Sequence, residues 1–251
     1  MAPTLSVLGY HLAGYRRTWR ASALSSFVLP LLTMLGFGVG VGAYVGGVDG
    51  VPYLDWLVPG LIASTAMQVA MGDSSWPVLG NFAWMKVYYG QAAAPLRVSD
   101  ILDGHLAFVV FRTVSSCGAF LVIATAFGTM HSWWALATLP VAALLGLAVA
   151  APTFAYSATI SSDSYLAILF RVGMIPMSLF SGVFFPVESL PSPLRWIAYA
   201  LPLWHGVDLS RAATLGVPPA WSLTGHLLYL AAWAAAGWLL AHRQFVRRLV
   251  V

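Results

Sequence analysis

The stretch Leu106–Phe127 reads LAFVVFRTVSSCGAFLVIATAF, and it decides the fold. Arg112 is its one charge. A run of about 20 apolar residues, rising 1.5 Å each as a helix, crosses a hydrocarbon core of about 30 Å. In lipid the backbone must bond to itself, so such a run is a helix. The alternation of an outer-membrane barrel strand is absent. Five other stretches share this character: Ala23–Val45, Leu54–Ala70 with a polar extension to Val78, Trp134–Ile160, Tyr165–Phe185 and Leu223–His242. The second is the weakest, because Gln68 and Asp73 interrupt it. The expected fold is an all-α polytopic membrane protein with six transmembrane helices, forming one domain over residues 1–251.

Composition agrees. Of 251 residues 60% are hydrophobic and 8% charged, against about 25% charged in a soluble domain. That excludes soluble, disordered and nucleic-acid-binding classes. Lys86 is the only lysine, and Met85-Lys86-Val87 is no P-loop, so no Walker motif holds ATP here. Cys117 is the only cysteine, which excludes disulfide frameworks and cysteine zinc sites. The first twenty residues hold three arginines and no long apolar core, so a cleavable signal peptide is not expected.

Basic residues collect on alternate loops. Arg16, Arg17 and Arg20 precede span one, Lys86 and Arg97 follow span two, Arg171 lies near the start of span five, and Arg243, Arg247 and Arg248 follow span six. The other loops hold Asp49 and Asp55, then His131, then Glu188, Arg195, Asp208 and Arg211. The basic excess places both termini in the cytoplasm, in keeping with an even span count.

Three segments do not span. In residues 1–21, Leu5, Leu8, Leu12, Tyr15 and Trp19 recur at helical steps, with Arg16, Arg17 and Arg20 turned elsewhere. That pattern predicts an interfacial helix with arginines near anionic headgroups, or a solvated start to span one. The loop 81–104 carries Trp84, Met85, Lys86, Tyr88, Tyr89, Pro95 and Arg97. It predicts a short helix ended near Pro95, then Ser99 capping the next helix. Its aromatics suit either a soluble partner or a membrane belt. In residues 186–221, Pro186, Pro191 and Pro193 break the chain, and Leu194, Ile197, Leu201 and Trp204 form an apolar stripe beside Arg195, His205, Asp208 and Arg211. One or two half-embedded outer helices are expected, with Asp208 and Arg211 spaced to pair on one face.

Catalytic patterns are scarce. Asp100 and Asp103 are one turn apart, a spacing that suits a cation or charges flanking a helix start. His205 and Asp208 mimic a base and its orienter, but the G-x-S-x-G elbow is absent. Ser181-Gly182 faintly resembles an intramembrane serine protease motif, yet the preceding residues do not fit. Apart from Arg112 the spans carry few ionisable groups, so an ion-coupled carrier or a channel lacks its usual residues. Gly36, Gly38, Gly40, Gly42 and Gly46 give overlapping G-x-x-x-G spacings for packing against another helix, in a second copy or in this chain. Met34, Phe37, Met67, Met174, Met177, Phe180 and Phe184 suit either a plastic route for amphipathic cargo or plain core and lipid-facing positions.

Three blocks together carry a family likeness: Gly40-Val41-Gly42-Ala43-Tyr44-Val45, Val51-Pro52-Tyr53 and Leu57-Val58-Pro59-Gly60-Leu61; Phe180-Ser181-Gly182-Val183-Phe184-Phe185-Pro186-Val187 with Leu190-Pro191; and Leu201-Pro202-Leu203-Trp204-His205-Gly206-Val207-Asp208-Leu209 with Arg211. The chain resembles the ABC-2 type permeases, most closely the nodulation-factor and daunorubicin exporter branch. The resemblance implies an amphipathic N-terminal helix, six spans and short outer re-entrant helices between spans five and six. It implies that Trp84, Lys86, Tyr88, Tyr89, Pro95 and Arg97 lie in a coupling loop that docks a separate ATPase subunit. No cofactor is then expected in this chain, with ATP and Mg on the partner. The other expected partners are a second permease copy or a related permease and membrane lipids, without nucleic acid. The implied function is export of a lipid, glycolipid or amphipathic drug, without a catalytic site in this chain. The alternatives are an integral membrane lipid-modifying enzyme, an ion-coupled carrier, or a permease that removes its ligand from the membrane without crossing it.

Overall fold

The computed structural model describes residues 3–48 and 50–250, with the side chains of 21–27, 29, 30 and 39 outside that description. Asp49, invoked above, and several side chains of the expected first span therefore lie outside the described residues. Helix α1 (Pro3–Thr33) continues through a π-helical stretch, Met34–Val41, into α2 (Gly42–Val45). A small antiparallel ribbon, β1 (Gly47–Val48) and β2 (Val51–Pro52), sets Val48 opposite Val51. Then come α3 (Tyr53–Asp73), α4 (Trp76–Ala83), α5 (Val87–Ala92) and α6 (Val98–Ala126). A 3-10 turn, Trp133–Ala137, leads into α7 (Thr138–Thr159). Helices α8 (Ser164–Ile168) and α9 (Ile175–Phe180) flank a second π-helical stretch, Leu169–Met174. Last come α10 (Ser192–Tyr199), α11 (Pro202–Leu215) and α12 (Leu223–Leu249).

Among the described residues, four stretches are long and apolar enough to cross a membrane: Tyr53–Ala83, Val98–Ala126, Trp133–Thr159 and Leu223–Leu249. The expected first and fifth spans are shorter apolar helices, Leu31–Val45 and Ser164–Phe180, and each contains a π-helical stretch. The fifth stops at Phe180 rather than Phe185, because Gly182 turns the chain at φ 78° and the Arg211 guanidinium holds its carbonyl at 2.9 Å. The start of α6 also differs from the expectation. Arg97, not Ser99, stands at its N-cap, and the Arg97 N–H donates to Asp100 Oδ2 at 3.0 Å. A carboxylate in a first helical turn also meets the positive end of the helix dipole.

Helix α1 runs unbroken across residue 21. Thr4 Oγ1 donates to Asp100 Oδ1 at 3.0 Å, His11 stacks on His105 at 3.9 Å, and Arg112 lies over the Tyr15 ring at 4.8 Å. Residues 4–15 thus run beside 100–112 in the same direction. Gly104 makes this possible, since a Cβ there would fall 2.6 Å from Val7 Cβ. The stripe that faces the protein is Thr4, Val7, His11 and Tyr15. Of the predicted apolar stripe Tyr15 faces α6, Leu8 and Leu12 are half-buried, and Leu5 and Trp19 are 56% and 50% exposed, so the periodicity overlaps the protein-facing side only in part.

The core forms where α3 and α7 meet each other and their neighbours α6, α11 and α12. Leu57, Val58, Ile62, Met67, Leu145 and Phe154 are buried there. Helices gain nothing from apolar burial against lipid alone, so close van der Waals contact carries the packing. Helices α7 and α12 touch at Gly237, where an added Cβ would lie 2.6 Å from the backbone N of Pro152. At one end of the bundle Phe245 meets Phe82, Arg248 donates to the carbonyls of Ala158 and Ile160, and Thr4 meets Asp100. Both described ends of the chain and the loop 84–97 therefore share that end. At the other, His131 Nε2 lies 2.8 Å from Asp55 Oδ2, and the Tyr53 hydroxyl donates to the Phe184 carbonyl.

This second end is capped by α10 and α11. Helix α11 is not half-embedded: Leu203, Trp204, His205, Val207, Leu209 and Thr214 are buried among α3, α7 and α12. Helix α10 keeps Trp196 and Ile197 exposed. Asp208 and Arg211, three residues apart, reach different elements. Arg211 lies 3.9 Å over the Trp56 ring. Asp208 accepts from the Ala220 N–H at 2.8 Å, and its Oδ2 lies 3.0 Å from His226 Nε2. His205 Nε2 is 3.1 Å from the Tyr199 carbonyl, which only an N–H satisfies, so His205 Nδ1 accepts from His226 Nδ1 at 2.8 Å. The buried His205–His226 pair thereby joins α10, α11 and α12.

Two predictions follow from this packing. Gly237→Leu forces apart α7 and α12 and costs about 1–3 kcal/mol or more of stability, whereas Gly72→Ala meets nothing within 4 Å and is not destabilising; thermal unfolding in detergent separates the two. Burial, and then the neighbouring His226, lower the His205 pKa to about 4. Because the folded value lies below the ordinary 6.5, the folded state binds fewer protons between the two. The stability contributed by His205 is present above about pH 6.5 and is lost as pH falls toward 4. The melting temperature should drop between pH 7.5 and pH 5, and His205→Gln should flatten that drop.

Candidate functional site

The loop between α4 and α6 is a built corner rather than a loose connection. Helix α4 ends at Trp84, and Lys86 turns the chain in the left-handed region at φ 53°. No other non-glycine among the described residues has a positive φ. That conformation costs roughly 1 kcal/mol, so the surrounding packing must hold it. It aims Trp84 and Met85 outward, 60% and 62% exposed, beside exposed Lys86 and Tyr89. Pro95 and Arg97 are exposed as well.

Tyr88 is the exception among the six residues expected to dock. It is fully buried and presents nothing to a partner. Helix α5 is too short to bury both tyrosines of a consecutive pair, so Tyr88 turns inward and Tyr89 outward. The Tyr88 ring packs edge-on against Phe82 at 4.6 Å and lies 5.1 Å from Phe245. Burial pushes its phenol far above its ordinary pKa, so it stays a neutral hydroxyl, hydrogen-bonded to His105 Nδ1 at 2.6 Å. His105 in turn meets Phe154 at 5.0 Å. One side chain thus fastens the exposed corner to α4, α6 and α12, and through His105 to α7. Tyr88 and His105 are 17 residues apart, and no local spacing signals their contact.

The other expected sites divide. Met34 and Met67 are fully buried in the core, so in this conformation they line no open route. Phe37 is 45% exposed and lies 5.1 Å from Phe184. Met174, Met177 and Phe184 are partly buried at the core's edge, and Phe180 is also half-buried. Of the glycines, Gly38 and Gly42 face Leu54 and Tyr53 of α3, so they serve packing within the chain. Gly36 is open, and Gly40 meets only its own helix at Leu35 O.

The acid–base candidates have structural partners. Asp100 is held by Arg97 and Thr4, and Asp103 accepts from Trp238 Nε1 at 2.6 Å. His205 is fully buried with both ring nitrogens engaged, and Ser181 is fully buried. Among the described residues no group of three or more His, Cys, Asp or Glu is placed to hold a metal.

Comparison with known proteins fits this architecture. The model of the ABC-2 type transporter family matches residues 4–215. The chain is 31% identical over 246 residues to a nodulation protein J of Rhizobium leguminosarum bv. viciae, covering 95% of each chain. It is 30% identical over 231 residues to a nodulation protein J of Sinorhizobium fredii, covering 92% of this chain and 87% of that one. A nodulation protein J of Azorhizobium caulinodans is 26% identical over 195 residues, 77% of this chain and 76% of that one. A multi-pass helical bundle that matches the family from α1 through α11 leads to one conclusion: the chain belongs to the ABC-2 type transporter family.

Proposed function

We propose that this chain is the transmembrane subunit of an ATP-driven exporter that moves a lipid, glycolipid or amphipathic drug out of the cytoplasmic membrane. The observation that carries the reading is the corner formed by Trp84, Met85, Lys86 and Tyr89, exposed outside and fastened inside by Tyr88. Exposed aromatics around one cation suit a protein partner. A separate ATPase subunit, holding ATP and Mg, docks there, with Pro95 and Arg97 at the edge of the contact. Its movement presses the corner. The buried Tyr88–His105 contact and the Phe82, Phe154 and Phe245 rings pass the displacement to α6, α7 and α12. A well-packed aromatic cluster transmits strain because it has no space to absorb it.

In this reading the four long helices and the two shorter apolar segments make six spans, with both termini and the corner in the cytoplasm. The shared end of the bundle carries Arg17, Lys86, Arg97, Arg247 and Arg248, which supports that orientation. Helices α10 and α11 form the outer re-entrant cap. Two permease copies pair, or one pairs with a related permease, along the open face of the first segment at Gly36 and Gly40. The peripheral side chains Phe37, Met174, Met177, Phe180 and Phe184 face the cargo route. Covalent chemistry is assigned only to the partner's ATP hydrolysis.

Two experiments test this. Trp84→Ala with Tyr89→Ala should reduce co-purification of the ATPase subunit and its stimulated hydrolysis at least several-fold. Tyr88→Phe, which deletes only the O–H, should keep ATPase binding while lowering transport per ATP hydrolysed. Unchanged binding and hydrolysis in the first variant would remove the docking assignment. For pairing, Gly36→Cys should form a cross-linked dimer in membranes, while Leu239→Cys, exposed on α12, should not. The native Cys117 is fully buried and does not interfere. Cross-linking at position 239 alone would move the interface to α12.

A further inference from the structure

A cavity of about 850 Å³ lies between α1, the junction of α3 with α4, and α6. Its walls mix charge and aromatic surface. Arg112 gives only its Nε to Asp73, at 3.1 Å, and stacks on Tyr15, so its terminal amino groups make no hydrogen bond among the described residues and the side chain still reaches the surface. Arg17 lines the same cavity and is exposed, with no ion pair among the described residues. The buried Nε2 of His11 lacks a hydrogen-bond partner among the described residues. Burial lowers the His11 pKa to about 4, so the ring is neutral near pH 7. Two arginines against Asp73 leave one positive charge.

The position selects the ligand. Asp73 ends α3 just past its apolar run, and Arg112 stands near the start of the apolar run of α6. The cavity therefore lies where hydrocarbon gives way to headgroups, at the end of the bundle that carries the docking corner. Guanidinium forks match phosphate oxygens in plane and in charge. A phosphodiester carrying one net negative charge balances the cavity, whereas a zwitterionic headgroup brings a cation toward Arg17.

We propose that this cavity binds the phosphodiester headgroup of an anionic phospholipid, with Arg17 and the free amino groups of Arg112 on the phosphate and His11 Nε2 at its edge. The cavity borders the corner assigned to the ATPase, sharing Met85 with it, and contains none of the side chains placed on the cargo route. It requires only that this end of the bundle faces a headgroup layer.

The test uses the full-length chain alone, in micelles containing equal phosphatidylglycerol and phosphatidylcholine. Lipid retained per chain is counted by native mass spectrometry. Phosphatidylglycerol should be retained several-fold over phosphatidylcholine, and Arg17→Gln should lower its retention about tenfold, the loss expected for one charge-assisted hydrogen bond. Arg112→Lys keeps a counter-ion for Asp73 while removing the fork, and should lower retention in the same direction. Equal retention of the two lipids, or unchanged phosphatidylglycerol in both variants, overturns the proposal. Sodium phosphate at millimolar concentration should not displace the lipid; if it does, and raises the melting temperature of lipid-free protein, the ligand is soluble phosphate and the lipid assignment fails. ATP, the ATPase and cargo are absent, so failure here leaves the transport reading standing, and loss of that reading leaves this site intact.

Discussion

A single buried tyrosine organises one end of this bundle. The Tyr88 ring fills the space between Phe82 and Phe245, and its hydroxyl satisfies His105. Without it the corner from Trp84 to Tyr89 would hang on a six-residue helix, too short to be stable by itself. With it, a strained turn at Lys86 is held in place and the corner moves as part of the bundle. Replacing such a buried ring by alanine would cost several kcal/mol, about 3–5 by analogy with other large aromatics. Removing the hydroxyl alone leaves the buried His105 ring nitrogen unsatisfied, about 1–3 kcal/mol.

The opposite end is held differently. There, polar side chains bond to backbone where the chain changes direction. Arg211 holds the turn after α9, Asp208 meets the loop before α12, and the two histidines join three helices. Such contacts suit a region of short helices, where many backbone groups lack helical partners. The middle of the bundle needs neither device. It is packed through glycines and alanines, as at Gly104 and Gly237, because backbones must approach closely where lipid supplies no hydrophobic drive.

Much of this was legible in the sequence. Continuous apolar runs located the four long helices, but helix α6 begins at Val98 rather than Leu106 and α12 ends at Leu249 rather than His242, because an apolar run marks only the part of a helix that the bilayer covers. The loop with the exposed aromatics was also visible. The first and fifth runs read as full spans; the turn at Gly182 ends the fifth early, and the first is helical through Val45 but crosses side chains outside the described residues. Arg97 rather than Ser99 took the cap because Asp100 was placed to reach back to it. The predicted apolar stripe of α1 shares Tyr15 with the face that α6 takes, but that face is shifted from it, with Val7 and His11 inside and Leu5 and Trp19 outside. Amphipathic periodicity distinguishes two faces and does not say which one a protein neighbour covers.

The sequence by itself determined the class of protein, the positions of its long helices and the family blocks, since these depend on composition, run length and local motifs. Only the tertiary structure decided which residues of a motif point outward. Tyr88 and Tyr89 are adjacent and chemically alike, and successive helical residues point about 100° apart. One became the anchor and the other the surface because His105, Phe245 and Phe82, distant in sequence, converge on a single side chain.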